Sequence, residues 1–123
     1  AMKPTVLLVD DDPHYLDLIE LHLKLHEFRV VRAESAEEAV GRLVHQNPDA
    51  VVCDVELPGA DGLSSERIAR ETEVGRDLPF VFTTGFVNCS RELGAERAVV
   101  RKAEGAGRVR EELERALRAV PAS

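Results

Sequence analysis

The chain has 123 residues, 44% of them hydrophobic and 32% charged, and carries a net charge of -7. That length suits one domain with a single core and leaves no room for a second of ordinary size; one domain over 1–123 is predicted, with Ala1 before Met2 reading as a cloning remnant. The acidity excludes a direct nucleic-acid surface, the apolar content excludes a disordered chain, and no apolar stretch approaches the ~20 residues that cross a bilayer.

The first apolar run, 5–9, is aliphatic and β-branched and ends in the acids Asp10, Asp11 and Asp12. A helix is predicted over 13–26, since Pro13 suits a first helical turn behind an Asp cap. The second run is 28–33, and a second helix follows over 36–46, where Ser35 and Glu38 have capping-box spacing. Run 50–53 leads into Asp54, and a third helix is predicted over 62–73. Run 80–83 leads into Thr84, run 98–100 into Arg101 and Lys102, and a last helix covers 107–120. Short runs that are apolar throughout suit strands buried between helices in a parallel sheet. Their alternation with helices predicts a doubly wound α/β fold with right-handed crossovers. Cys53 lies inside an apolar run and reads as a small buried side chain. Neither it nor Cys89 belongs to a CxxC pair and no signal peptide is recognisable, so a cytoplasmic location is expected.

In such sheets a ligand site forms beyond the carboxyl ends of the strands, at the topological switch point. Asp10 and Asp11 end the first run, Asp54 the third, Thr84 the fourth, and Arg101 and Lys102 the fifth. Carboxylates gathered at one rim raise one another's pKa unless a cation joins them. Hard oxygen ligands in a small open site suit Mg²⁺, with Mn²⁺ as the alternative ion. Asp54 is the candidate nucleophile, because a carboxylate can form an aspartyl phosphate. Lys102 and Thr84 are candidates to receive the charge on the phosphoryl oxygens. Singly, each motif has a plainer reading: the acidic run as a helix cap, Asp54 as a strand-to-turn junction. Their joint placement at four strand ends carries the argument.

Val9-Asp10-Asp11-Asp12-Pro13, Cys53-Asp54-Val55-Glu56-Leu57-Pro58-Gly59-Ala60-Asp61-Gly62, Leu78-Pro79 leading to Thr84-Gly85, and Lys102 closely resemble the receiver domain of two-component response regulators over essentially the whole chain. The resemblance implies a flavodoxin-like five-stranded parallel sheet of order 2-1-3-4-5 with five helices. It implies Asp54 as phosphoacceptor, Asp10 and Asp11 as the acidic pair for Mg²⁺, and Glu56 as the donor of a backbone carbonyl to the metal. Thr84 matches the hydroxyl that bonds the phosphoryl group and Lys102 the salt-bridging lysine. The implied partner is a histidine kinase or histidine phosphotransfer protein, with an output domain or downstream protein beyond. The implied catalysis is limited to the domain's own phosphorylation and dephosphorylation.

Six features depart from that pattern or stand outside it. The stretch between Thr84 and Lys102 is about one helical turn short at ~3.6 residues per turn, so a shortened or irregular fourth helix is expected within 86–97. Val99 and Ala103 replace the common aromatic before the lysine and proline after it, which bears on the switch surface. Arg101 is the alternative to Lys102, since adjacent strand residues point to opposite faces. In the first helix the family match turns Tyr15, Leu18, Ile19, His22 and Leu23 toward the sheet and spreads Leu16, Leu21 and Leu25 elsewhere. Leu21 and Leu25 are then either ordinary exposed leucines or a docking patch for the kinase. His22 and His26 have the spacing of a helical metal pair, but no third ligand is near and a structural role is expected. Glu111, Glu112 and Glu114, interleaved with arginines, predict a solvated helix face.

Besides a phosphorylatable receiver, two functions are open: a degenerate receiver that acts through protein contacts alone, and an aspartyl-phosphate phosphatase using Glu56 as its acid. The intact Asp10, Asp11, Asp54, Thr84 and Lys102 set weighs against the first. The lack of any cap domain or substrate pocket weighs against the second. A homodimer is an open alternative to a monomer.

Overall fold

Alternation along the strands decides how this sheet is covered. In the computed structural model, which describes residues 2–57, 62–85 and 97–119, five strands form one parallel sheet in the order β2-β1-β3-β4-β5. They are β1 (Thr5–Val9), β2 (Arg29–Ala33), β3 (Ala50–Asp54), β4 (Phe80–Thr84) and β5 (Ala98–Arg101). Val6, Leu8, Val52, Val81 and Val100 face one side, against Leu16, Ile19 and Leu23 of α1 (Pro13–Leu25) and Val109 and Leu113 of α4 (Ala106–Ala119). Leu7, Val9, Val51, Cys53 and Phe82 face the other, under Ala39 and Leu43 of α2 (Ala36–Gln46) and Ala69 of α3 (Gly62–Arg70). Every residue of central β3 is buried, so the runs had to be apolar on both faces. This is the flavodoxin-like arrangement expected from the sequence. Among the described residues no helix is long and apolar enough to cross a membrane.

The helix starts follow their caps. Asp12 accepts from the backbone N–H of His14 with Pro13 at the first helical position, and Ser35 Oγ accepts from Glu38 N–H at 3.1 Å. The second half of the expected box is displaced: the Glu38 carboxylate reaches Glu34 N–H, not that of Ser35. Helix α3 ends three residues earlier than predicted. Thr72 Oγ1 donates to Ala69 O and accepts from Gly75 N–H, which turns the chain away. A Cβ at Gly75 would stand 2.2 Å from Ala69 O, so only glycine closes that turn.

Two expectations are corrected. Leu16, Ile19 and Leu23 form the buried stripe of α1, whereas Leu18 is 54% exposed alongside Leu21 and Leu25. Leu18 lies about 200° around the helix from Leu16 at 100° per residue, so both cannot face the sheet. Glu112, expected on a solvated face, is buried beside Val109 and Leu113, where its Oε1 accepts from both Arg108 and Arg115. Two guanidiniums at one carboxylate supply the pairing that a buried charge requires. The shortened helix expected within 86–97 and Cys89 lie outside the described residues, Arg97 apart.

Candidate functional site

The strand order places the switch point between β1 and β3, whose neighbours lie on opposite sides of the sheet. Val9 pairs in register with Cys53, so Asp10 and Asp54, the next residues of each strand, emerge side by side. Oxygens of Asp10, Asp11 and Asp54 all lie within 4.8 Å of one another. Among the described residues this is the one such group able to hold a metal ion. Asp10 and Asp54 are buried and Asp11 is exposed, which leaves the trio open to solvent on one side.

Each buried acid divides its oxygens in the same way. Asp10 Oδ1 accepts from Asp12 N–H and Asp54 Oδ1 from Glu56 N–H, both at 2.9 Å. These local turns lock the carboxylates and leave Oδ2 of each to face Lys102. Lys102 Nζ stands 2.8 Å from Asp10 Oδ2 and 3.0 Å from Asp54 Oδ2. The contact with Asp54 is a hydrogen bond; that with Asp10 is an ion pair without hydrogen-bond geometry. Arg101, the alternative, pairs in register with Thr84, is exposed and bonds Glu104 through its backbone N–H. The chain enters a 3-10 turn at Lys102–Glu104, which releases Lys102 from the alternation of the strand.

The side chain of Glu56 plays a part that the sequence did not reveal. Its Oε1 accepts from Thr84 Oγ1 at 2.5 Å, so the hydroxyl expected to serve a phosphoryl group is engaged by a fourth acid. Tyr15 was also read only as a packing residue. Its ring lies under Lys102, with Nζ 4.5 Å from the ring centroid. Among the described residues Tyr15 Oη, Thr83 Oγ1 and Asp10 Oδ2 are buried without hydrogen-bond partners. All three residues line a cavity of about 10 Å³ beneath the acidic pair. The His22 and His26 rings lie 4.6 Å apart between centroids, tilted by 36°, and His22 Nε2 accepts from Arg110 Nε–H. That bond occupies the lone pair a metal would need, in line with the expected structural role.

Burial pushes the Asp54 carboxyl up to about 7, helped by the Glu56 side chain and the Asp10 charge; the Glu56 N–H and Lys102 oppose the rise. Burial would also raise Glu56, but its hydrogen bonds with Asp54 and Thr84 hold it below the usual range. Lys102 is held above its ordinary value, because burial, which lowers it, is outweighed by Asp10 and Asp54. Burial pushes the Tyr15 phenol up to about 12, and the Cys53 thiol above its usual range, so both stay protonated. Three carboxylates against one ammonium leave two negative charges uncompensated, and Asp10 Oδ2 has a free lone pair. The donor set therefore fits a hard divalent cation such as Mg²⁺.

A family model described as the response regulator receiver domain matches residues 6–106. The transcriptional regulatory protein AfsQ1 of Streptomyces coelicolor is 36% identical over 107 residues, 83% of this chain and 46% of that protein. The phosphate regulon regulator PhoB of Pseudomonas aeruginosa is 29% identical over 80 residues, 65% of this chain and 35% of that protein. The chain thus spans less than half the length of either regulator it matches. The receiver domain of sensor histidine kinase PA1611 from Pseudomonas aeruginosa, solved with a magnesium ion in its active-site cleft, superposes with a TM-score of 0.85. It is 29% identical, over 95% of this chain and 99% of that one. A response regulator from Chloroflexus aurantiacus gives 0.83 at 30% identity, over 94% and 98%.

Proposed function

The chain belongs to the response regulator receiver domain family, and from that premise we propose that Asp54 accepts a phosphoryl group from a histidine kinase or histidine phosphotransfer protein. Asp10, Asp11, Asp54 and the main-chain carbonyl of Glu56 would hold Mg²⁺, which supplies the divalent charge that screens the carboxylates from an incoming phosphate. The observation that carries the reading is Lys102 Nζ between Asp10 Oδ2 and Asp54 Oδ2, beside a trio left open at Asp11.

Each side chain has a part in that chemistry. An oxygen of Asp54 forms a bond to phosphorus as the bond to the donor's imidazole nitrogen breaks, and the electron pair leaves with the imidazole. The reaction needs the ionised carboxylate, and contact with Lys102 favours that form against the effect of burial. The Lys102 ammonium neutralises part of the charge that spreads over the equatorial oxygens. The Thr84 hydroxyl donates to those oxygens once it leaves Glu56. Dephosphorylation returns the group to water, and the domain catalyses nothing on a separate substrate.

The reading makes 1–123 a single receiver domain of the cytoplasm that alters contacts with an output domain or downstream protein. It requires no direct contact with nucleic acid or membrane, and no homodimer. Incubation with acetyl phosphate and Mg²⁺, followed by intact mass spectrometry, tests it. One phosphoryl group should add to the wild-type chain and none to Asp54→Ala. An unmodified wild type, or equal labelling of the variant, would overturn the reading in favour of a phosphorylation-independent interaction module.

A further inference from the structure

We propose that Tyr15 is a positioning residue for Lys102, its ring face closing the side of the ammonium that neither Asp10 nor Asp54 meets. The proposal rests on the phosphoacceptor reading and adds a residue to it. Lys102 begins a short 3-10 turn and reaches the site on a flexible four-carbon stem. Its two anionic contacts, Asp10 at 2.8 Å and Asp54 at 3.0 Å, both belong to the reacting cluster. When Asp54 becomes an acyl phosphate, the contact with its Oδ2 must rearrange. The Tyr15 ring, 4.5 Å from Nζ, belongs to neither the acceptor nor the metal set, so it persists through the reaction. An electron-rich ring face attracts an ammonium, more strongly where water is partly excluded.

Helix α1 supplies the placement. Asp12 caps it, Pro13 fixes its first turn, and Tyr15 follows within that turn, half-buried against the core beside Leu16 and Ile19. The Tyr15 hydroxyl is buried with no hydrogen-bond partner among the described residues. The ring is therefore held by packing and by the cation, and the face, not the hydroxyl, carries the interaction. A ring without the hydroxyl should serve as well, and an aliphatic side chain of similar bulk should not.

The test compares wild type, Tyr15→Phe and Tyr15→Leu in labelling by acetyl phosphate with Mg²⁺, and in the NMR shifts of the Lys102 ε protons. A proton above a ring face is displaced upfield, so these resonances report the contact directly. Tyr15→Leu should label about fivefold more slowly and lose the upfield displacement, a size in keeping with a cation–π contact. Tyr15→Phe should restore both. Leucine at the wild-type rate, or phenylalanine as slow as leucine, would overturn the proposal. Should Tyr15→Leu fail to fold by circular dichroism, Tyr15→Met takes its place. If wild type takes no label, the phosphoacceptor reading fails, and the ε-proton shifts alone decide whether the ring holds the lysine.

Discussion

Replacing Lys102 with methionine removes a cation from between two buried carboxylates while keeping the unbranched stem. The side chains of Asp10 and Asp54 are 3% and 4% exposed and that of Lys102 is 24% exposed. Removing one partner of a fully buried pair costs about 3–5 kcal/mol. Here the lysine is a quarter exposed and the cluster opens to solvent at Asp11, so the expected loss is about 2 kcal/mol. For a domain of this size that lowers the Tm by about 6–10 °C. The measurement is thermal unfolding in EDTA at pH 8, above the value of about 7 to which burial pushes Asp54 in the wild type. Methionine leaves the trio one positive charge poorer, so Lys102→Met should bind Mg²⁺ more tightly than wild type. Saturation at about 100 times Kd stabilises by about 2.7 kcal/mol, and the extra affinity should narrow the gap between the two proteins. A variant that melts with wild type in EDTA would refute the electrostatic account of Lys102. A gap that keeps its full size in saturating Mg²⁺ would refute the shared role of lysine and metal.

Two shorter predictions follow. Leu21→Glu with Leu25→Glu should slow phosphotransfer from the partner kinase several-fold while leaving labelling by acetyl phosphate unaltered, because both leucines are exposed on α1 away from the acidic trio; equal rates from the kinase would end the docking reading. His22 is held below the usual histidine range by burial, then by His26 and Arg110. The unfolded chain therefore binds the extra proton first, and stability is lost as pH falls through about 6.5 toward the lower folded value. Melting curves between pH 7 and pH 5 should be flatter for His22→Gln, and parallel curves would remove His22 from the account.

The sheet was legible because burial on both faces leaves a plain trace: five short apolar runs, four of them followed by a candidate site residue. Asp10, Asp54 and Thr84 could be placed from that trace alone, since a strand end fixes where a side chain emerges. The register of α1 was less legible. Leucine occupies both the buried stripe at Leu16 and Leu23 and the exposed stripe at Leu18, Leu21 and Leu25, so composition does not separate the faces. The end of α3 turned on one hydroxyl, that of Thr72, which competes for backbone groups in a way hydrophobic periodicity does not record. Glu112 was misjudged because a charged helix residue is usually solvated; its two arginine partners lie at four and three residues' distance, where surface pairs also stand. The Glu56–Thr84 bond and the Tyr15–Lys102 contact left no local signal. Both join residues far apart in sequence through rotamers that only the packed fold selects.

Under the phosphoacceptor reading, the rim has a way to respond to phosphoryl addition. An aspartate that becomes an acyl phosphate gains one negative charge, in a cluster where three carboxylates already face a single ammonium. The fold tolerates the starting imbalance because Asp11 is in solvent and Asp10 and Asp54 each accept a backbone N–H. The added charge must be met by moving a donor, and Thr84 Oγ1 is a nearby hydroxyl that can turn. To reach the phosphoryl oxygens it would have to leave Glu56, whose carboxylate also accepts the Gly85 backbone N–H. Glu56 follows β3 and Thr84 ends β4, so their bond is one tie between these strand ends, beside the bond from Val55 N–H to the Thr83 carbonyl at 2.9 Å. Under the phosphoacceptor reading, phosphorylation at Asp54 would therefore loosen one of the ties between two adjacent strand ends.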